Sequence, residues 1–134
     1  TPININREHQ LPGFESKINM AATSFGGGIY WGSLCGAPAG MAMAMGLVHG
    51  VDGEESLEEF QEKKANCNDV CKSLMKEFEE AFGSINCNGL LGVDWRTEEG
   101  RAQLKELRDT KGIGMCEEYI DWATKRALET LGEG

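Results

Sequence analysis

Five cysteines carry most of the chemistry this chain can offer: Cys35, Cys67, Cys71, Cys87 and Cys116. Cys35, Cys87 and Cys116 each fall at or near the start of an expected helix. A thiolate there faces unpaired N–H groups and the positive end of the helix dipole, which lowers its pKa and favours metal ligation or redox chemistry. Cys67 and Cys71 lie mid-helix on an apolar stripe, where a cysteine ordinarily behaves as a small hydrophobe. Their four-residue spacing also lets both sulfurs face one metal. An odd count rules out full disulfide pairing within one chain, and the spacings lack the compact pattern of a secreted scaffold. Reduced thiols or metal ligands are therefore expected rather than structural bridges. The run from Cys67 to Lys72 has three residues between its cysteines and a lysine after them, whereas covalent haem needs C-x-x-C-H, so no haem is expected. No C-x-x-C occurs, which disfavours a zinc ribbon or a thioredoxin-like motif.

The other side chains add little. His9 and His49 have no partner pattern, and His49 reads as a surface residue in a turn. Met41, Met43 and Met45 alternate by two, so a helix spreads them around its circumference as core filler rather than a copper site. No Ser-His-Asp or paired-carboxylate arrangement stands out among 22 acidic residues.

Around Cys35 the chain reads SFGGGIYWGSLCGAPAG, Ser24 to Gly40, with six glycines and no charge. Gly28, Gly32, Gly36 and Gly40 are four residues apart, so wherever the run is helical they share a face and admit another backbone closely. A nucleotide loop is disfavoured: no strand precedes the run, no lysine follows a glycine as in a P-loop, and the G-x-G-x-x-G spacing is not met. No charged residue occurs from Ile18 to Val51, yet a spanning helix needs about 20 predominantly apolar residues. Only Met41 to Val48 is strongly apolar, so the expectation is a buried central segment, not a membrane span. With a net charge of -9 the chain lacks the clustered Lys and Arg that nucleic acid or an anionic membrane requires.

Positioning these residues falls to helices, because strand alternation is nearly absent. A first helix is expected over Glu15 to Ser24, stopping at Gly26-Gly27-Gly28, and a second over about Ala37 to Leu47 with Pro38 in its first turn. Ser56-Leu57-Glu58-Glu59 is a capping box opening a helix to about Ala81, with Phe60, Cys67, Cys71, Leu74, Phe78 and Phe82 as its stripe. A short helix is expected from Ser84, one capped by Thr97 through about Asp109, and a last one from near Cys116. No repeat and no long linker divides the 134 residues. The fold class is all-α: a single-domain helical bundle of about five to six helices with a glycine-rich loop.

The block FGGGIYWGSLCGAPAGMAMAMGLVHG resembles the central signature of the C_GCAxxG_C_C family of redox-active proteins. FGSINCNGLLG at Phe82 to Gly92, then Met115-Cys116-Glu117, match its later cysteine segments in order and spacing. The resemblance covers roughly Phe14 to Leu131 and places the family's cysteines on Cys35, Cys87 and Cys116, with Gly26, Gly27, Gly28 and Gly36 as a supporting glycine loop. The family also has an earlier cysteine-bearing helix, which residues 1–134 are expected to lack, while Cys67 and Cys71 are not part of the pattern. The family's similarity to the cluster-bearing part of split-Soret cytochromes implies an iron–sulfur cluster, which usually takes four thiolates. The leading expectation is electron transfer through such a cluster on Cys35, Cys87 and Cys116, with Cys71 or Cys67 as candidate fourth ligand. The alternatives are metal-free thiol/disulfide chemistry and a structural or interaction module with buried cysteines. A redox partner protein or a homo-oligomer is the expected partner. The start at Thr1 leaves the compartment open, and reduced thiols tilt it towards the cytoplasm.

Overall fold

The computed structural model describes residues 16–112 and 114–132. Among these, six α-helices follow in order: α1 (Ser16–Ala22), α2 (Gly36–His49), α3 (Leu57–Phe82), α4 (Cys87–Leu91), α5 (Glu98–Lys111) and α6 (Glu117–Thr130). No strand occurs among the described residues beyond one isolated bridge, Leu34 to Asn86. The fold is all-α, as the sequence indicates. The expected helix start at Glu15, and His9, lie outside the described residues.

Local signals set most boundaries. Ser56 Oγ accepts the Glu59 N–H at 3.3 Å to open α3, and Thr97 Oγ1 accepts the Gly100 N–H at 2.9 Å to open α5. Each cap satisfies one of the orphan donors of a first turn. The expected start of α4 at Ser84 is corrected to Cys87. Ser84 Oγ accepts the Asn86 N–H at 3.0 Å, and Asn86 is extended at φ -96, ψ 139, so the hydroxyl closes a turn ahead of the helix.

Helix α2 packs on α3 and α6. Met41, Ala44 and Met45 of α2, Leu74 and Phe78 of α3, and Ala123 and Ala127 of α6 form the main core. The alanines on α2 and α6 let the helices approach, and the unbranched methionines fill the remaining gaps. Phe78 stands among Phe82, Tyr119 and Trp122, with ring centroids 4.8, 6.2 and 5.5 Å away. Arg126 clamps Glu77 across α6 and α3 through two 3.0 Å bonds. A smaller core joins Cys87, Val93, Trp95 and Leu104.

The charge-free segment is buried along α2 but not throughout. Ile29, Tyr30 and Trp31 stand 56%, 66% and 57% exposed, because the backbone before α2 makes a left-handed turn that throws these side chains outward. No described helix is long and apolar enough to cross a membrane.

Phe78 is fully buried at the centre of the main core. Phe78→Ala therefore leaves a cavity and is expected to cost about 3–5 kcal/mol in urea unfolding. Leu57→Ala, at a side chain 73% exposed, is expected to change stability by less than about 0.5 kcal/mol.

Candidate functional site: three thiols around one cavity

Cys35 and Cys87 are brought together by backbone pairing. The Cys35 N–H donates to the Ile85 carbonyl at 2.8 Å, and the Cys87 N–H donates to the Ser33 carbonyl at 2.7 Å, on either side of the Leu34–Asn86 bridge. Alternate residues of a ladder face the same way, so both cysteines lie on one side of it. The helix starts then take over: Cys35 is the N-cap of α2, Cys87 the first residue of α4, and Cys116 the N-cap of α6. All three thiols line one cavity of ≈ 510 Å³, together with Phe25, Gly27, Trp95, Arg108 and Ile120. Among the described residues, no carboxylate or imidazole contributes to that lining.

Burial corrects the expectation that helix starts lower these thiols. Cys35 is pushed up to about 11, chiefly by burial. The Ala37 backbone partly opposes this, and the thiols of Cys87 and Cys116 add to it. Burial also raises Cys87, against the Trp95 indole, and raises Cys116, against the Arg108 guanidinium. A helix terminus offers about 0.3–1 kcal/mol to an adjacent charge, and α4 has only five residues. Removing a thiolate from water costs more than that, and the Arg108 guanidinium offsets only part of it at Cys87 and Cys116. In the metal-free protein the trio is protonated at neutral pH.

Trp95 is the site residue that the sequence did not reveal. Its indole N–H donates to Cys87 Sγ at 3.1 Å. Its own N–H donates to Asn88 Oδ1 at 3.0 Å, and its carbonyl accepts from Arg101 at 3.1 Å. Arg108 lies over the ring at 5.7 Å and Tyr30 meets it edge-on at 4.9 Å. The ring also explains a glycine: a Cβ on Gly27, at φ +65, would stand 2.7 Å from it. A single tryptophan in a polar turn between helices carries no periodic signal, and only the fold shows where it points.

The supporting glycines divide. Gly26, Gly27 and Gly36 line the cavity, whereas Gly28, at φ +62, turns the chain against the Ser33 backbone and leaves no room for a Cβ there. Gly28 and Gly32 bound the left-handed turn ahead of α2, so the four evenly spaced glycines do not share one helical face. Gly36 and Gly40, one turn apart on α2, both line the cavity.

Cys67 and Cys71, the candidate fourth ligands, do not line this cavity. They sit one turn apart on α3, and Cys71 is pushed up to about 11 by burial and by the neighbouring Cys67. His49 is exposed at the end of α2 rather than in a turn. Among the described residues, no three His, Cys, Asp or Glu side chains are placed to grip one metal ion.

The Trp95 N–H lowers the Cys87 thiol towards its ordinary range. Trp95→Phe keeps a ring and removes the donor, so the Cys87 pKa should rise further. The pH profile of Cys87 alkylation in metal-free protein, read by peptide mass mapping, is expected to shift to higher pH, with that of Cys116 unchanged.

The family described as "Putative redox-active protein (C_GCAxxG_C_C)" matches residues 4–130, nearly the whole chain, and the chain belongs to that family. No curated protein and no solved structure matches the chain.

Proposed function

We propose that this member of the C_GCAxxG_C_C family is an electron-transfer protein whose Cys35, Cys87 and Cys116 thiolates hold an iron–sulfur cluster. The observation that carries this reading is the lining of the cavity: three thiols from three separate segments, with no carboxylate or imidazole beside them among the described residues and only the Thr23 and Tyr119 hydroxyls as side-chain oxygens. A donor set dominated by three thiols, without a carboxylate, suits soft metals and iron–sulfur centres better than calcium, magnesium or manganese. The donors fit a cluster in kind and are one short of the usual four in number. The three thiols would hold different irons of a [4Fe–4S] cluster, so they need not converge on a single ion. The fourth ligand then comes from outside this set.

The chain's own residues have distinct tasks. The three thiols lose their protons when metal binds, so uptake is favoured as pH rises, more strongly because burial has raised their pKa values. Trp95 orients the Cys87 sulfur and spreads its negative charge into an N–H bond. Arg108 offsets part of the thiolate charge, and Phe25, Leu91 and Ile120 limit the access of water. Bound there, a cluster supplies a one-electron couple, exchanged with a redox partner protein.

A disulfide between Cys35 and Cys87 is less well supported. Diagonal neighbours in an antiparallel ladder stand about 7–8 Å apart, beyond the roughly 4.4–6.8 Å between Cα atoms that a disulfide tolerates.

The test is anaerobic purification followed by visible spectroscopy with iron and acid-labile sulfide analysis. Stoichiometric iron and sulfide are expected, with the visible absorbance lost in Cys35→Ser and Cys87→Ser. In Trp95→Phe a lower reduction potential is expected, because the more reduced state loses a hydrogen bond to sulfur. A colourless, iron-free and folded protein overturns this function.

A further inference from the structure

The α3 cysteines form a second sulfur group that the family's motif does not use. Cys67 and Cys71 are four residues apart on one continuous helix, Leu57–Phe82, so they face the same side. Both are half-buried, and Cys67 is close enough to raise the Cys71 thiol. Asp69, between them in sequence, falls on the opposite side of the helix by the same periodicity. One turn further along the cysteine face stands Met75, a third sulfur, at the edge of the main core.

We propose that Cys67 and Cys71 are an independent binding site for a soft, two-coordinate cation, copper(I) in type, held between their two thiolates. The helix itself selects a metal bridge over a disulfide. At i and i+4 the Cβ atoms are about 5–6 Å apart, whereas a disulfide draws them to about 3.5–4.5 Å. Closing that bond means breaking the middle of α3. A cation between the sulfurs adds two metal–thiolate bonds; with the zinc–thiolate length of about 2.3 Å as a guide, the sulfurs can stay roughly 4–5 Å apart while the helix remains intact.

The ligand count selects the cation. Among the described residues no third His, Cys, Asp or Glu side chain joins the pair to complete a metal-holding group. Structural zinc, which takes four ligands, is left unsatisfied. Copper(I) accepts thiolate and thioether donors and is the better match to a pair of thiols followed by a methionine. Binding balances without electron transfer. Two S–H bonds break, two protons leave to solvent, two S–Cu bonds form, and the bis-thiolate complex carries a net charge of minus one.

The experiment is an anaerobic titration of the full chain with up to two equivalents of copper(I), in competition with bathocuproine disulfonate, for wild type and C67S/C71S. The wild type is expected to take up one equivalent more than the double variant and to show thiolate-to-copper ultraviolet absorption that the variant lacks. In the wild type, copper(I) is expected to slow N-ethylmaleimide labelling of Cys67 and Cys71 at least tenfold, read by peptide mass mapping. That protection assay needs no variant, so it decides the matter even if C67S/C71S does not fold. Equal uptake by the two proteins when both are folded, or unchanged labelling of the pair, overturns the site. So does a Cys67–Cys71 disulfide formed by mild oxidant with helix content unchanged. Iron and sulfide content reports on the trio and peptide-resolved labelling on the pair, so the cluster and the copper site fail separately.

Discussion

Two backbone hydrogen bonds, from the Cys35 N–H to the Ile85 carbonyl and from the Cys87 N–H to the Ser33 carbonyl, are the constraint on which the rest of the site depends. They join segments on either side of the α2–α3 hairpin. Helix α2 carries the chain away from Cys35, and α3 returns it to Ile85. The packing of Met41, Met45, Leu74 and Phe78 fixes how those helices lie together. The bridge converts that packing into a relation between two sulfurs. Without it, the α2 core would still bury its methionines, but nothing in that core would hold Cys87 beside Cys35.

The same arrangement sets an electrostatic problem. Three thiols around one largely apolar cavity cannot all ionise cheaply, since each thiolate loses water and repels the other two. Their positions at helix starts soften this only slightly, because a terminus acts over its first turn and is worth less than the solvation it replaces. Trp95 and Arg108 supply the remaining compensation, one as a hydrogen-bond donor to sulfur and one as a charge. The balance stays on the side of neutral thiols. A site of this kind gains most from a partner that brings positive charge, and its protonation couples the arrival of that partner to pH.

The sequence was legible where its signals act within about four residues. Ser56 and Thr97 cap the helices they were expected to cap, and Leu74 and Phe78 of the stripe from Phe60 to Phe82 reach the core. The helix-start positions of Cys35, Cys87 and Cys116 were also local features. What was not legible is non-local or too short to be periodic. The bridge uses three residues on each side, too few for alternation to show. Trp95 depends on where the turn after α4 lands. The pKa directions depend on burial, which spacing does not report. The start of α4 is ambiguous for the same reason, since a serine ahead of a helix reads as a cap whether its hydroxyl bonds a helix turn or, as with Ser84, the turn before it.

The glycine run has its physical reason in the left-handed turn. Gly27, Gly28, Ile29 and Tyr30 have φ values of 65, 62, 64 and 51. For Ile29 and Tyr30 that conformation costs about 1–2 kcal/mol each, while the two glycines escape most of it. The edge-on contact of Tyr30 with Trp95, worth about 0.5–1.5 kcal/mol, offsets part of the cost. Side chains at positions 27 and 28 would add strain and would also strike the Trp95 ring and the Ser33 backbone. The turn therefore exists only because glycine comes first, and its bare Cα at Gly27 gives the Trp95 ring a place to lie. From that place the indole N–H reaches the Cys87 sulfur. The glycines ahead of Cys35 thus act on a cysteine far along the chain, through a tryptophan that neither segment contains.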